Sequence, residues 1–155
     1  MKRGDLSHAG ARREIFARLG SRAKHALVLS EGLVTYLNEE EVGRLSEDLA
    51  AQKSFRGWVL DMMSPGLVKR MTRKEPVFNK LKEAGAPVQF APQQGPDFFT
   101  PHGWKPVEVR SLLHTAAELK RLSFFMRLVA LLPDAQGKVP TAPWGGVCLF
   151  NNTAP

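Results

Sequence analysis

The chain lacks any Gly-x-Gly motif, so the glycine-rich turn that brings a strand, a ligand and a helix into close approach is not among its signatures. The pair Gly145-Gly146 precedes a terminal strand instead of joining a strand to a helix. Cysteine is almost absent: Cys148 alone rules out an internal disulfide framework and suits a reducing, cytoplasmic setting. His8, His25, His102 and His114 have no metal-ligand spacing, which argues against a zinc or iron site. Long apolar runs are missing too. The longest candidate, Phe124 to Leu132, is short and interrupted by Arg127, and Met1 to Asp5 leads into no signal-type segment, so a soluble protein without a membrane partner is expected. No internal repeat or low-complexity stretch occurs.

What is present begins with length and charge. A chain of 155 residues reads as a single domain, 1–155, able to bury roughly 68 to 70% of its unfolded surface. The net charge is +7 and unevenly spread. Residues 1–24 carry seven basic and two acidic groups, residues 66–82 six and one, and residues 25–65 are net acidic. The basic stretches have no interleaved stacking aromatics, so they read as solvated helix faces and not as a nucleic-acid surface.

Periodicity gives an alternating strand and helix order. Ser7 can cap a helix running to about Leu19, with Ile15, Phe16 and Leu19 as its apolar stripe and Gly20 as its end. Ala26 to Ser30 is an apolar strand. Asn38 with Glu41 three residues on is a capping-box start for a helix to about Gln52, burying Val42, Leu45 and Leu49. Trp58 to Met62 is a second strand, and Ser64-Pro65 opens a basic amphipathic helix over 66–82, with Leu67, Val68, Met71, Phe78 and Leu81 inward, a lid or sheet cover. Ala86 to Gly103 reads as a folded loop with a helical turn at Asp97-Phe98-Phe99. Trp104 to Val109 is a strand, a helix runs from Ser111 toward Leu132 with Phe124, Phe125 and Leu128 as packing residues, and Val147 to Asn151 is the closing strand. Strand, helix, strand, helix is the doubly wound α/β pattern. Cys148, in a strand, reads as a small buried side chain.

Residues 27–37, Leu-Val-Leu-Ser-Glu-Gly-Leu-Val-Thr-Tyr-Leu, carry the most information. An apolar run that ends abruptly in an acid and a glycine is how a buried parallel strand delivers polar groups to a crevice. Glu31-Gly32-Leu33-x-x-Tyr36-Leu37 resembles a segment of the leucine carboxyl methyltransferase family, S-adenosylmethionine-dependent O-methyltransferases with a Rossmann-like fold. Asp5-Leu6-Ser7 with Arg12-Arg13 and Phe16, Leu60-Asp61 with Ser64-Pro65, Gly103-Trp104, Val109-Arg110 and Trp144-Gly145-Gly146 follow in the family's order. The resemblance implies a partial Rossmann-like methyltransferase fold: parallel strands, an antiparallel carboxyl-terminal strand pair, and the first strands missing. On that reading the chain is the carboxyl-terminal half of a methyltransferase domain.

The same resemblance implies site residues. Glu31 would face the methionine ammonium of S-adenosylmethionine, and Gly32 would let backbone or ligand approach. Asp5 would accept from the adenine amino group while Leu6 donates its backbone amide. Tyr36 and Arg110 are candidates for the side of the pocket that takes a carboxylate or small-molecule methyl acceptor. Each has a plainer alternative: a solvated acid for Glu31, a helix-start acid for Asp5, packing for Tyr36 and a surface ion pair for Arg110. Asp61 is expected to orient the loop after its own strand. No catalytic base is identifiable, and an ionised carboxylate acceptor needs none.

One topological expectation concerns partners. Strand Ala26 to Ser30, apolar throughout, expects a neighbour on each edge and helices on both faces. Without the family's first strands one edge stays open, which invites a homodimer or a separate amino-terminal half. The alternative function is therefore a non-enzymatic interaction fragment that pairs through this edge.

Overall fold

The computed structural model describes residues 8–74, 83 and 85–154. Helix α1 (Ala9–Gly20) is followed by strand β1 (Ala26–Ser30), a 3-10 turn (Val34–Tyr36), helix α2 (Glu39–Ala50), strand β2 (Phe55–Met63) and helix α3 (Pro65–Lys74). A 3-10 segment (Gly95–His102), strand β3 (Trp104–Ser111), short helices α4 (Leu112–Glu118) and α5 (Phe124–Val129) and strand β4 (Gly145–Asn152) complete it. The sheet order is β1-β2-β4-β3. β1 runs parallel to β2, while β4 pairs antiparallel with both β2 and β3. The expected mixed α/β sheet, parallel strands with an antiparallel carboxyl-terminal pair, is present.

Local chemistry fixes the best-defined helix. Asn38 accepts from the Glu41 N–H, and Glu41 returns the bond to the Asn38 N–H, both at 2.9 Å. Glu39, Glu40 and Glu41 lie in the first turn, where acids favour the positive end of the helix dipole. Val42, Leu45 and Leu49 are buried as their spacing predicts. α1 departs from expectation: Ser7 lies outside the described residues, His8 stands at the N-cap, and Leu19 is exposed. The inward positions are Arg12 and Phe16. Arg12 Nη2 lies 2.5 Å from Asp48 Oδ2, and Arg13 Nε donates to Asp48 Oδ1 at 2.7 Å, tying α1 to α2. Gly20 is the last helical residue, and a Cβ there would meet Gln52 Oε1 at 2.7 Å, so its smallness lets α1 lie against the end of α2.

One sheet face carries the core. Trp58, Leu60, Met62, Trp104, Cys148 and Phe150 point into it and are buried. Trp58 packs edge-on against Phe99 and Trp104 at centroid distances of 5.3 and 5.4 Å, and Phe99 lies tilted against Phe150 at 4.8 Å. Two indole N–H groups in this core are satisfied: Trp58 donates to Ser30 Oγ and Trp104 to the Ser46 carbonyl, each at 2.9 Å. Such bonding is what buried indoles require.

The opposite face corrects the expectation of a strand buried on both sides. Leu27 and Leu29 are 63% and 71% exposed, and β1 alternates outward and inward. Among the described residues β1 pairs with β2 alone. The expected helix from Ser111 toward Leu132 is also broken. Ser111 caps α4, Lys120 adopts a left-handed φ of 55°, and the chain restarts at Ser123. The six residues of α5 include Phe124 and Phe125, 78% and 71% exposed, and an exposed Leu128, so these are not packing residues. The basic helix after Pro65 is described to Lys74; the remainder, with Phe78 and Leu81, lies outside the described residues.

Candidate functional site

Parallel β1 ends at Ser30, opposite Leu60, while β2 runs on to Met63 along β4. Beyond Ser30 the chain leaves the ladder. Glu31 is exposed, and Gly32 turns with φ 59°, a left-handed conformation that costs a side chain free energy and glycine little. Its N–H donates to Asp61 Oδ1 at 2.7 Å, so Asp61 orients the loop after β1 and not, as expected, the one after its own strand: β2 runs on past Asp61 to Met63, while β1 stops at Ser30 beside it. A Cβ built on Gly32 meets nothing within 4 Å, which leaves open space above the turn.

The 3-10 turn that follows is anchored from below. Val34 and Thr35 are buried, and the Thr35 carbonyl accepts from the Gln89 and Phe90 N–H groups at 2.9 and 3.2 Å. Gln89 Nε2 donates to the Tyr36 carbonyl at 2.9 Å. Tyr36 itself is 40% exposed, a ring at the rim and not in the core. Glu31 and Gly32 thus sit on a turn held at one end by Asp61 and at the other by residues 89–90.

Arg110 stands apart. It lies opposite Val147, which lies opposite Asp61, so the three share a row and the open face of the sheet. Two strand spacings separate Arg110 from Asp61, roughly 10 Å. Its Nε donates to Glu108 Oε1 at 2.6 Å in an exposed pair, the plainer of its two readings. Asp5 and Leu6 lie outside the described residues.

Sequence reasoning used Ser64 only as a helix opener, and the structure gives it more to do. Its Oγ donates to the Ala142 carbonyl at 2.6 Å and accepts from the Leu67 and Trp144 N–H groups at 3.2 and 2.9 Å. Gly66 donates to the Pro140 carbonyl at 2.8 Å, and a Cβ on it would meet the Thr141 carbonyl oxygen at 2.3 Å. The start of α3 is therefore clamped to the loop before β4. The signal available in sequence was a Ser-Pro-Gly triplet at a strand end, which specifies the turn and not its distant partner.

Cys148 is fully buried and burial pushes its thiol up to about 12, the inert state expected of a packed cysteine. Among the described residues no three His, Cys, Asp or Glu side chains are grouped for a metal ion, and no helix is long and apolar enough to cross a membrane.

No protein-family model matches the chain, and no curated protein does. Among solved structures it is similar to the crystal structure of magnesium protoporphyrin IX methyltransferase from Synechocystis PCC 6803 with bound SAH, at 12% identity and a TM-score of 0.41. The match covers 84% of this chain and 45% of that one. The chain thus spans less than half the length of that enzyme, and likeness at this level transfers no residue roles.

Proposed function

We propose that this chain is part of an S-adenosylmethionine-dependent O-methyltransferase that acts on a carboxylate or hydroxyl of a small molecule. The observation that carries the reading is the Glu31–Gly32 turn: a carboxylate at the carboxyl end of a parallel strand, next to a left-handed glycine with open space above it, the turn held by Asp61. That arrangement fits one half of the ligand, an ammonium for the acid and a close approach over Gly32. The resemblance of Glu31 to Leu37 to the leucine carboxyl methyltransferase family supports the same assignment.

Glu31 pairs with the ammonium, and Asp61 acts as a positioning residue through the Gly32 amide. Asp5 and Leu6 take the adenine side by resemblance, and Tyr36 and Arg110 are the candidates for the acceptor side. When bound, the sulfonium supplies an activated methyl group. The chain's task is alignment, and an ionised carboxylate acceptor attacks through its own oxygen lone pair without a base.

Calorimetric titration of S-adenosylmethionine into the purified chain tests this, with Glu31→Ala as the control and circular dichroism confirming that both are folded. Saturable binding weakened at least tenfold in the variant, about 1.4 kcal/mol, is expected. Equal binding by both proteins would remove Glu31 from the site, and no binding by the folded wild type would remove the cofactor from this chain.

A second reading rests on its own observation, the outward Leu27 and Leu29 on a strand with one partner among the described residues. It is an interaction fragment that pairs through β1 with a second copy or with a separate amino-terminal half.

A further inference from the structure

Helix α3 carries a second feature, independent of the turn at Glu31. Gly66, Lys69, Arg70 and Arg73 recur at the three- and four-residue spacing that places side chains on one helix face. All four line one cleft of about 540 Å³, within the size range of small-molecule sites. The helix is amphipathic: Leu67, Val68 and Met71 are half-buried, while Lys69, Arg70 and Arg73 are exposed. Lys69 also borders an adjoining space of about 220 Å³ formed with Gln93, Pro140 and Thr141.

Three cations therefore project from roughly one turn of helix, about 6 Å of axis from Lys69 to Arg73. Among the described residues none of them has a carboxylate partner in an ion pair. Residues 66–74 contain no acid. Like charges at this spacing repel, so the face is relieved by a ligand bearing several negative charges at short intervals. Two guanidinium forks and an ammonium match the oxygens of adjacent phosphoryl groups better than a single carboxylate. The start of α3 is held in place by the Gly66 to Pro140 hydrogen bond and the Ser64 contacts with residues 142 and 144. The rigid start of α3 thus presents the cationic face to the cleft.

We infer that the α3 cleft is a binding site for a compact polyanion, a di- or triphosphate group held by Lys69, Arg70 and Arg73. The phosphates belong to a free polyphosphate or to a nucleotide.

The test is titration of the full chain with inorganic tripolyphosphate, ATP and orthophosphate by calorimetry, with amide NMR shifts to locate the site. Expected are saturable binding of tripolyphosphate, at least tenfold weaker binding of orthophosphate, and shifts centred on residues 66–73. The double variant Arg70→Glu with Arg73→Glu should lose tripolyphosphate binding at least tenfold. Lys105→Glu with Arg121→Glu, which removes as much positive charge from exposed positions elsewhere, should leave it within about twofold, since screening makes remote charges weak. Circular dichroism establishes that both variants are folded. Equal affinity for ATP and tripolyphosphate identifies the phosphates alone as the ligand, whereas tighter ATP binding identifies a nucleotide. The inference is overturned if tripolyphosphate and orthophosphate bind alike, if the two double variants lose binding equally, or if a short single-stranded oligonucleotide binds far tighter with shifts spread beyond α3.

Discussion

Asp61 Oδ1 accepts the Gly32 N–H at 2.7 Å, so a side chain of β2 sets the turn that follows β1. The two strands are joined by their ladder and by this bond at its end, where the ladder stops. Asp61→Ala is expected to loosen the turn and cost about 1 kcal/mol, the net value of a typical hydrogen bond. Asp61→Asn retains an acceptor and should cost less than half of that. Urea unfolding of the three proteins checks this; equal loss in both variants would assign the effect to charge and not to the bond.

Gly32 and Gly95 offer a matched comparison, because their φ values are 59° and 57°. Above Gly32 there is open space, whereas a Cβ on Gly95 would meet the Gly137 carbonyl oxygen at 2.1 Å. Gly32→Ala should therefore carry only the conformational penalty, about 1 kcal/mol. Gly95→Ala adds a backbone collision and should cost well over twice as much, read as the larger drop in melting temperature. Equal drops would mean that residues 95 and 137 move apart without cost.

The buried ion pair between Arg12 and Asp48 joins α1 to α2. Asp48→Ala removes a buried carboxylate bonded to both Arg12 and Arg13, a change expected to cost about 3 kcal/mol. Arg13→Ala removes only the outer, exposed member of the cluster and should cost less than about 1 kcal/mol. Denaturant midpoints compared at one pH decide between this ordering and its reverse.

These features mark where sequence reasoning works and where it stops. The capping box of Asn38 and Glu41 and the buried stripe of α2 are local patterns, and both were legible. So were the sheet's strands and the turn at Glu31 and Gly32, because an apolar run ending in an acid and a glycine is a signal of nearest neighbours. Arg12 was not legible as a buried residue, since its partner lies 36 positions away. The exposure of Leu27 and Leu29 was not legible either: an all-apolar strand reads as buried on both faces, and only the assembled sheet shows that α1 and α2 leave one face bare. The break at Lys120 defeats periodicity because the left-handed residue is a lysine and not a glycine.

Burial of Cys148 gives a pH dependence whose sign is fixed. Desolvation pushes the folded thiol from its ordinary value of 9.0 up to about 12, so above about pH 9 the unfolded chain releases a proton that the folded chain retains. Stability is undiminished by this group below pH 9 and falls as pH rises toward 12, by up to about 1.4 kcal/mol per pH unit. Cys148→Ala should flatten that part of the profile while costing some packing at all pH values. A parallel pair of profiles would show that the thiol does not titrate differently in the two states. The same burial predicts that a thiol reagent at pH 8 labels the native protein far more slowly than the urea-unfolded chain.

Leu27 and Leu29 project from the open face of β1, and Leu27 Cδ1 lies 2.8 Å from where a Cβ on Gly57 would stand, so the glycine leaves room for the leucine to lean over β2. Val59, Val147 and Leu149, half-buried, extend this apolar surface across the sheet. An exposed strand of this kind, with one paired edge among the described residues, is a template for association. Sedimentation of the wild-type chain across a hundredfold concentration range should show a mass that rises with concentration. Leu29→Lys, which places a charge on the face and leaves the buried side of β1 unchanged, should shift the transition to at least tenfold higher concentration, about 1.4 kcal/mol. A chain that stays monomeric throughout, or a variant that associates as the wild type does, would remove β1 as the contact and with it the observation behind the interaction-fragment reading. The outcome leaves the Glu31 turn untouched, because Glu31 lies beyond the strand's last residue.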